Sequence, residues 1–269
     1  MNDETKGIAA QASDTVRVGF MVIGRKRPGF DPEWGKTMED RAWAAAASST
    51  AEAFRPKTRV VDDGTLREAI REFKTAECDL LLVLQPTMGD GRLAPIMAQL
   101  WDGPVVLWAT PERPDGTKVS SCSLVGAHAF ASLLRQLGRP FEMVYGDPES
   151  IGTQGQLGDA IRLAYAQRSL RRSTIGLVGG HAPGFINMDV DAVALNRDLG
   201  VQLHHFGLHE FIDSVNGQDE DAVNEDVGAV KAMGLPSEDG IGDDDLAVNS
   251  RYYLATRSLM DEENLEALA

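Results

Sequence analysis

The chain is short of cysteine, aromatic residues and long apolar runs, and each shortage excludes a class of protein. Cys78 and Cys122 are its two cysteines, and neither belongs to a CxxC pair, so a disulfide framework is not expected and a reducing compartment fits. No apolar stretch approaches the ~18 residues that a membrane-spanning helix needs. Aromatic residues make up 6% of the chain, so Leu, Val, Ile and Ala must supply most of its core.

Positive charge is also scarce. Lys and Arg number 26 against 41 Asp and Glu, which gives a formal net charge of −15. This charge repels phosphate backbones and anionic lipids, so neither a nucleic acid nor a membrane is expected as a partner. Residues 1–15 lack the apolar stretch of a signal peptide and are expected to form a disordered leader, so the sequence predicts a cytoplasmic protein.

Strand and helix patterns alternate along residues 16–148. Strands are predicted at 16–23, 59–61, 79–84, 104–108 and 140–145, with helices at 36–54, 65–76, 93–101 and 121–137. Such alternation favours right-handed crossovers between parallel strands. The first domain is therefore predicted to be α/β, with a flavodoxin-like, doubly wound parallel sheet.

Two local signals predict how the first helices begin. Pro28 and Pro32 are expected to keep residues 24–34 in a loop, because proline disrupts a helix interior. Thr65 is expected to cap the second helix, with Glu68 completing a capping box three residues later.

Residues 149–269 are predicted to form a second α/β domain. Its strands are expected at 174–178 and 201–206, with helices at 189–199 and in three further stretches that end near residue 264. Residues 265–269 look like the entry into another buried strand. A sheet of two or three strands is marginal alone, so this domain is expected to be truncated at its C-terminal edge.

A Gly-rich turn (residues 179–184, Gly-Gly-His-Ala-Pro-Gly) follows the predicted strand 174–178. In open α/β sheets the carboxyl ends of the strands are where ligands bind. The turn has neither the Gly-Lys-Ser/Thr of a P-loop nor GxGxxG spacing, so a nucleotide cradle is not predicted. It could equally be a tight strand-to-helix turn without a ligand. His181 could donate to a ligand, bind a metal or be a satisfied surface histidine.

Two loops of the first domain also follow predicted strands, at residues 24–34 and 85–91. Arg25, Lys26 and Arg27 form a small basic cluster in an acidic chain. The cluster is either a solvated loop or an edge that faces a polyol or an anion, since arginine presents a fixed fork of donors. No Ser/His/Asp or Cys/His order is evident, so the residues alone predict a two-domain α/β ligand-binding protein.

Several segments in succession resemble one family. They are Arg-Lys-Arg-Pro in the first loop, Pro-Val-Val-Leu-Trp-Ala-Thr-Pro-Glu at 104–112, Pro-Phe-Glu-Met-Val-Tyr-Gly at 140–146, the stretch 175–185, and Asp-Glu-Glu-Asn-Leu-Glu-Ala-Leu-Ala at 261–269. Together they span nearly the whole chain and are similar to the L-fucose/L-arabinose isomerase family, closest to its fucose isomerase-like branch.

The resemblance implies a metal-dependent aldose–ketose isomerase, an intramolecular oxidoreductase that works through a cis-enediol. It also implies two N-terminal α/β domains and a C-terminal one, Mn²⁺ or another divalent metal, a small-molecule sugar as substrate and a homo-oligomer. The catalytic, metal-binding carboxylates of the family would follow Ala269. The chain is therefore expected to be an N-terminal portion that binds no metal, contributes substrate-cleft walls and oligomer contacts, and is inactive alone.

The resemblance also implies substrate contacts in the two loops and the Gly-rich turn. The matching positions are Arg25, Arg27, Gln85, Thr87, Met88, His181 and Pro183. No catalytic residue and no metal ligand is assigned. Fucose isomerases carry an aromatic residue in the second loop, which this chain lacks at Thr87 and Met88. Two alternatives stay open: a non-catalytic sugar-binding or assembly module, and a different α/β enzyme.

Overall fold

The structure, a computed structural model, describes residues 16–24, 29–49, 52–115, 119–234 and 241–269. These residues form two compact units, the first ending at Arg168 and the second running from Ser169 to Ala269. The predicted leader at residues 1–15 lies outside the described ranges.

The first unit is built on a five-stranded parallel sheet with the strand order β2-β1-β3-β4-β5. This is the flavodoxin-like order, and the α/β fold class predicted from the sequence is confirmed. The order reverses between β1 and β3, so their carboxyl ends flank the topological switch point. The elements are β1 (Arg17–Val22), α1 (Pro32–Ser49), β2 (Glu52–Phe54), α2 (Asp63–Thr75), β3 (Leu80–Gln85), α3 (Leu93–Leu100), β4 (Val105–Ala109), α4 (Ser123–Gln136), β5 (Glu142–Tyr145) and α5 (Ile151–Arg172). The helix α5 begins in the first unit, and its residues after Arg168 belong to the second.

Helices cover both faces of this sheet, as the side chains of β3 show. Leu81 and Val83 pack against apolar residues of α2, α3 and α4 on one face. Leu80, Leu82 and Leu84 pack against α1 and α5 on the other face. Because successive strand residues point to opposite faces, a strand covered on both sides must be apolar throughout.

The predicted second strand at residues 59–61 is wrong. The strand β2 lies earlier, at Glu52–Phe54, and pairs with β1 through Arg17 and Glu52. Val60 forms a single parallel bridge to Ile23. The predicted helix 36–54 is correspondingly too long, because α1 ends at Ser49. As a short edge strand with half-exposed residues, β2 offers no apolar alternation that a sequence pattern could detect.

The starts of α1 and α2 also differ from their predictions. The helix α1 begins at Pro32, where a missing N–H costs nothing. The Asp31 carboxylate caps it by accepting from the N–H groups of the next turn. The cap of α2 is Asp62, not Thr65. Its carboxylate accepts from the Thr65 N–H at 2.9 Å, while the Thr65 hydroxyl accepts from the Asp62 N–H at 3.1 Å.

The second unit carries a smaller parallel sheet with the order β7-β6-β8. The strand predicted after residue 264 is confirmed as β8, which pairs with β6 through Ala267 and Ile175. The elements are β6 (Thr174–Val178), a 3₁₀ turn (Ile186–Met188), α6 (Ala192–Leu199), β7 (Gln202–Phe206), α7 (Leu208–Asn216), α8 (Glu220–Ala232), α9 (Asp243–Glu262) and β8 (Ala267–Leu268). Among the helices of the described residues, none combines the length and apolar character needed to cross a membrane.

Candidate functional site

A pocket of about 990 Å³ lies at the topological switch point of the first sheet. Its volume suits a small molecule, and its position is where open α/β sheets bind their ligands. We refer to it as the switch-point pocket. It is lined by residues after β1, at the start of α1, before α2 and after β3: Gly24, Phe30, Pro32, Glu33, Gly35, Lys36, Thr37, Arg59, Val61 and Thr87.

Thr87, one of the residues predicted to contact substrate, lies in the wall of this pocket and is 7% exposed. Two glycines make room for it. A Cβ atom at Gly24 would lie 2.8 Å from the Thr87 Oγ1, and one at Gly35 would lie 2.9 Å from its Cγ2. The backbones of the loop after β1 and of α1 therefore approach Thr87 more closely than residues with side chains would allow.

Arg59 lies beside Thr87 and is held by a buried carboxylate. The side chain of Glu39, on α1, is 7% exposed and forms ion pairs with Arg55 and with Arg59, the latter at 3.2 Å between Oε2 and Nη2. A Cβ atom at Gly24 would lie 3.1 Å from the Arg59 Nη2. Glu39, Arg55 and Arg59 thus form a cluster with a net positive charge at the edge of the pocket.

Gln85, another predicted contact residue, is 1% exposed and does not line the pocket. Its Oε1 accepts from the Gly89 N–H at 3.2 Å, and its backbone carbonyl accepts from the Ser123 hydroxyl. The predicted residue Met88 donates its N–H to the Ser121 carbonyl at 2.9 Å. Both residues fix the loop after β3 to the start of α4, and their role toward a substrate stays a prediction.

The remaining predicted residues are divided between the two units. Arg25 and Arg27 lie outside the described residues. His181 and Pro183 are exposed in the Gly-rich turn, at the carboxyl end of β6, which is the central strand of the second sheet. Gly179 enters this turn with φ +74° and donates its N–H to Phe206 at 2.9 Å. Their predicted contact with a substrate stays a prediction.

Sequence reasoning missed the Glu112 carboxylate, which lies at the start of α4. It accepts five hydrogen bonds from the backbone and hydroxyl groups of residues 120–122. Burial would raise the pKa of Glu112, but the hydrogen bonds from Ser120 and Ser121 outweigh it and lower the pKa below its usual value. The only signal in the sequence is a serine-rich stretch that follows a glutamate.

The described residues do not fit the Mn²⁺ that the resemblance implies. Within the described ranges, no group of three or more His, Cys, Asp or Glu side chains is arranged to hold a metal ion. We therefore derive no chemical step through a metal for these residues.

Comparison with known proteins finds relatives that are named as sulfoquinovose isomerases. No protein-family model matches the chain. It is 25% identical over 252 residues to the sulfoquinovose isomerases of Priestia megaterium and Priestia aryabhattai, which covers 93% of this chain and 55% of theirs. A sulfoquinovose isomerase of Alkalicoccus urumqiensis is 24% identical over 193 residues, 71% of this chain and 43% of its own length. The chain thus spans about half the length of the curated relatives it matches. The fucose isomerase-like branch stays a prediction, and the relatives that the chain resembles are named as isomerases of a sugar.

Proposed function

We propose that the chain is the N-terminal, substrate-binding part of a metal-dependent sugar isomerase that interconverts an aldose and its ketose. The switch-point pocket carries this proposal. It occupies the ligand position of a flavodoxin-like sheet, in a chain whose relatives are named as isomerases of the sugar sulfoquinovose. The alternative is a non-catalytic sugar-binding or assembly module.

The lining of the pocket matches the two kinds of surface that a sugar presents. Phe30 and Pro32 supply apolar surface for the C–H groups of a sugar ring. Thr87, Lys36 and Arg59 supply donors for its oxygen atoms. Placing the sugar between these groups would fix its orientation, which is a large part of what an active site contributes to a reaction. Under this proposal the chain binds and orients the sugar, and groups outside the described residues transfer the proton.

We further propose sulfoquinovose, or a closely similar aldose, as the substrate, and a homo-oligomer as the assembled form. Calorimetric titration of the 269-residue chain with sulfoquinovose and with glucose tests the first point. Saturable binding of either sugar is expected, and failure to bind any aldose would contradict the proposed function. Size-exclusion chromatography with light scattering tests the second, and a monomer at all concentrations would contradict it.

Activity separates the isomerase from the binding module. The chain and the complete product of its gene are incubated in parallel with the aldose and Mn²⁺ in D₂O. NMR follows the appearance of the ketose and the entry of deuterium at C2, which proton transfer through an enediol produces. We expect turnover in the complete product and none in the isolated chain. Sugar binding without turnover in both samples would favour a binding module.

A further inference from the structure

We infer that Arg59 is the residue that binds an acidic substituent of the substrate, with Lys36 as a second cation. The inference deepens the proposed function, on which it rests, by naming the substrate class of the switch-point pocket: sugars that carry a sulfonate, a phosphate or a carboxylate. Three features of the described residues support it: the bonding state of Arg59, its surroundings, and the charge of the pocket.

The first feature is that Arg59 is positioned without being hydrogen-bonded. Its Nη2 lies 3.2 Å from the Glu39 Oε2, which makes an ion pair. Yet this buried carboxylate oxygen accepts no hydrogen bond, and within the described part of the chain the Arg59 guanidinium donates none. The ion pair with Glu39 therefore holds one end of the guanidinium, and this side chain, 42% exposed, has further N–H groups for an acceptor that enters the pocket.

Neighbouring side chains also fix the position of Arg59. Glu39 is anchored from its other side by Arg55, whose guanidinium lies over the rings of Phe20 and Trp43 at 5.8 and 5.7 Å. A Cβ atom at Gly24 would lie 3.1 Å from the Arg59 Nη2, so the glycine keeps a side chain away from this end of the guanidinium. An arginine at a flexible surface position would have neither a buried counter-charge nor a neighbouring glycine beside its guanidinium.

The charge around Arg59 favours an anion. The glutamate of the cluster neutralises one of its two arginines, so the cluster keeps a net positive charge. Lys36 adds a cation to the lining, partly balanced by Asp40 one turn along α1. Among the described residues that line the pocket, Glu33 is the acidic one. Arg55, Arg59 and Lys36 are thus balanced by Glu39, Asp40 and Glu33, and the pocket is less acidic than a chain of net charge −15 is as a whole.

The geometry of the guanidinium indicates which kind of substituent Arg59 binds. A guanidinium presents parallel N–H groups that match two oxygens of a sulfonate, phosphate or carboxylate, whereas a sugar hydroxyl engages one at a time. A neutral sugar would leave the charge of Arg59 unmatched. A sulfonated sugar such as sulfoquinovose fits this preference. A sugar phosphate offers the same paired oxygens to Arg59.

Calorimetric titration with three sugars tests the inference: sulfoquinovose, glucose 6-phosphate, and quinovose, which has no acidic group. The wild-type chain is expected to bind at least one acidic sugar roughly tenfold or more tightly than quinovose. Arg59→Gln should weaken that binding by roughly ten- to a hundredfold and leave quinovose binding unchanged. Arg59→Lys should keep part of the preference because it retains the charge but not the fork. Arg67→Gln is the matched control, since Arg67 pairs with Asp63 and does not line the pocket.

Each result of these titrations supports or contradicts either the inference or the proposed function. Preference for the sulfonate or for the phosphate identifies which acidic sugar the pocket takes, and either supports the role of Arg59. Equal binding of all three sugars, or acidic-sugar binding that Arg59→Gln leaves unchanged, overturns the inference while the proposed function stands. Binding of no sugar by the wild-type chain counts against the proposed function itself. Thermal unfolding shows whether Arg59→Gln is folded. If it is not, two other measurements test the inference: sugar binding by Arg59→Lys and the salt dependence of wild-type binding.

Discussion

Ser121 donates twice to the carboxylate of Glu112, through its backbone N–H at 2.8 Å and through its hydroxyl at 3.0 Å. Ser120 donates in the same way, and the Cys122 N–H adds a bond at 2.7 Å. The N–H groups of the three residues just before α4 are thus occupied by a carboxylate of the chain itself.

Replacing Glu112 by Gln should destabilise the chain in a pH-dependent way. Because the pKa of Glu112 in the folded state is below its usual value of 4.5, its stabilisation is present above about pH 4.5 and is lost as the pH falls through the folded pKa. Since the residue is exposed, solvent screening limits the loss in free energy of unfolding to about 1–2 kcal/mol at neutral pH. Urea unfolding near pH 7 and near pH 3.5 measures it.

The control for that experiment is Glu68→Gln, which neutralises an exposed carboxylate of α2. It should change the free energy of unfolding by no more than about 0.5 kcal/mol at either pH. A loss for Glu112→Gln that is the same at both pH values would show that the charge of the carboxylate does not matter, and would contradict the account of the α4 start.

Trp101 and Trp108 are both buried but differ in how their indole N–H groups are satisfied. The Nε1 of Trp101 donates to the Pro104 carbonyl at 3.2 Å. The Nε1 of Trp108 has no hydrogen-bond partner in the described part of the chain. Trp→Phe removes the same atoms at each position, so Trp101→Phe should cost about 1 kcal/mol more in free energy of unfolding. Parallel denaturant titrations measure the difference, and a larger cost for Trp108→Phe would contradict it.

The two cysteines should differ sharply in reactivity. Burial raises the pKa of the Cys78 thiol to about 12, and its side chain is 4% exposed, so at pH 8 it is neither ionised nor accessible. Cys122 is partly exposed at the start of α4. A thiol reagent at pH 8 should therefore modify one cysteine in the native chain and both after denaturation. Cys122→Ser should abolish the native reaction, and a native reaction that survives this change would place the reactive thiol at Cys78.

Some strands and contacts of this fold are predictable from the sequence and others are not. The strand β6 is predicted with the bounds it has, and β3 to within one residue, because each is a mostly apolar run between polar residues. The edge strand β2 was missed because it has no such run. Thr87 is predicted for the site because the family resemblance implies a substrate contact in the loop after β3. The pairing of Glu39 with Arg59 is not, since a glutamate on a helix is ordinarily solvated and its partner follows a different strand.

Gly176 also makes contacts that its neighbours in sequence do not reveal. It lies inside β6, as the predicted strand 174–178 has it, and not in the Gly-rich turn. A Cβ atom there would lie 2.6 Å from the Cδ1 atoms of both Leu265 and Leu268. Leu268 of β8 and Leu265, two residues before β8, pack against this strand, so a side chain at residue 176 would have to displace them. No local pattern around residue 176 reports that contact.

Gly176→Ala should therefore destabilise the second unit by about 1–3 kcal/mol, because the added methyl overpacks the contact with Leu265 and Leu268. Gly180→Ala is the matched control, since a Cβ atom at Gly180 meets nothing within 4 Å. Hydrogen–deuterium exchange of peptides that cover residues 174–178 is the direct measurement, and exchange should be faster in Gly176→Ala than in the wild type or the control. Leu265→Ala introduced together with Gly176→Ala should recover part of the loss, because it removes one of the two clashing side chains. Unchanged exchange in Gly176→Ala would mean that β6 does not need its glycine, and that the close packing of β8 on this strand is not what the sequence maintains.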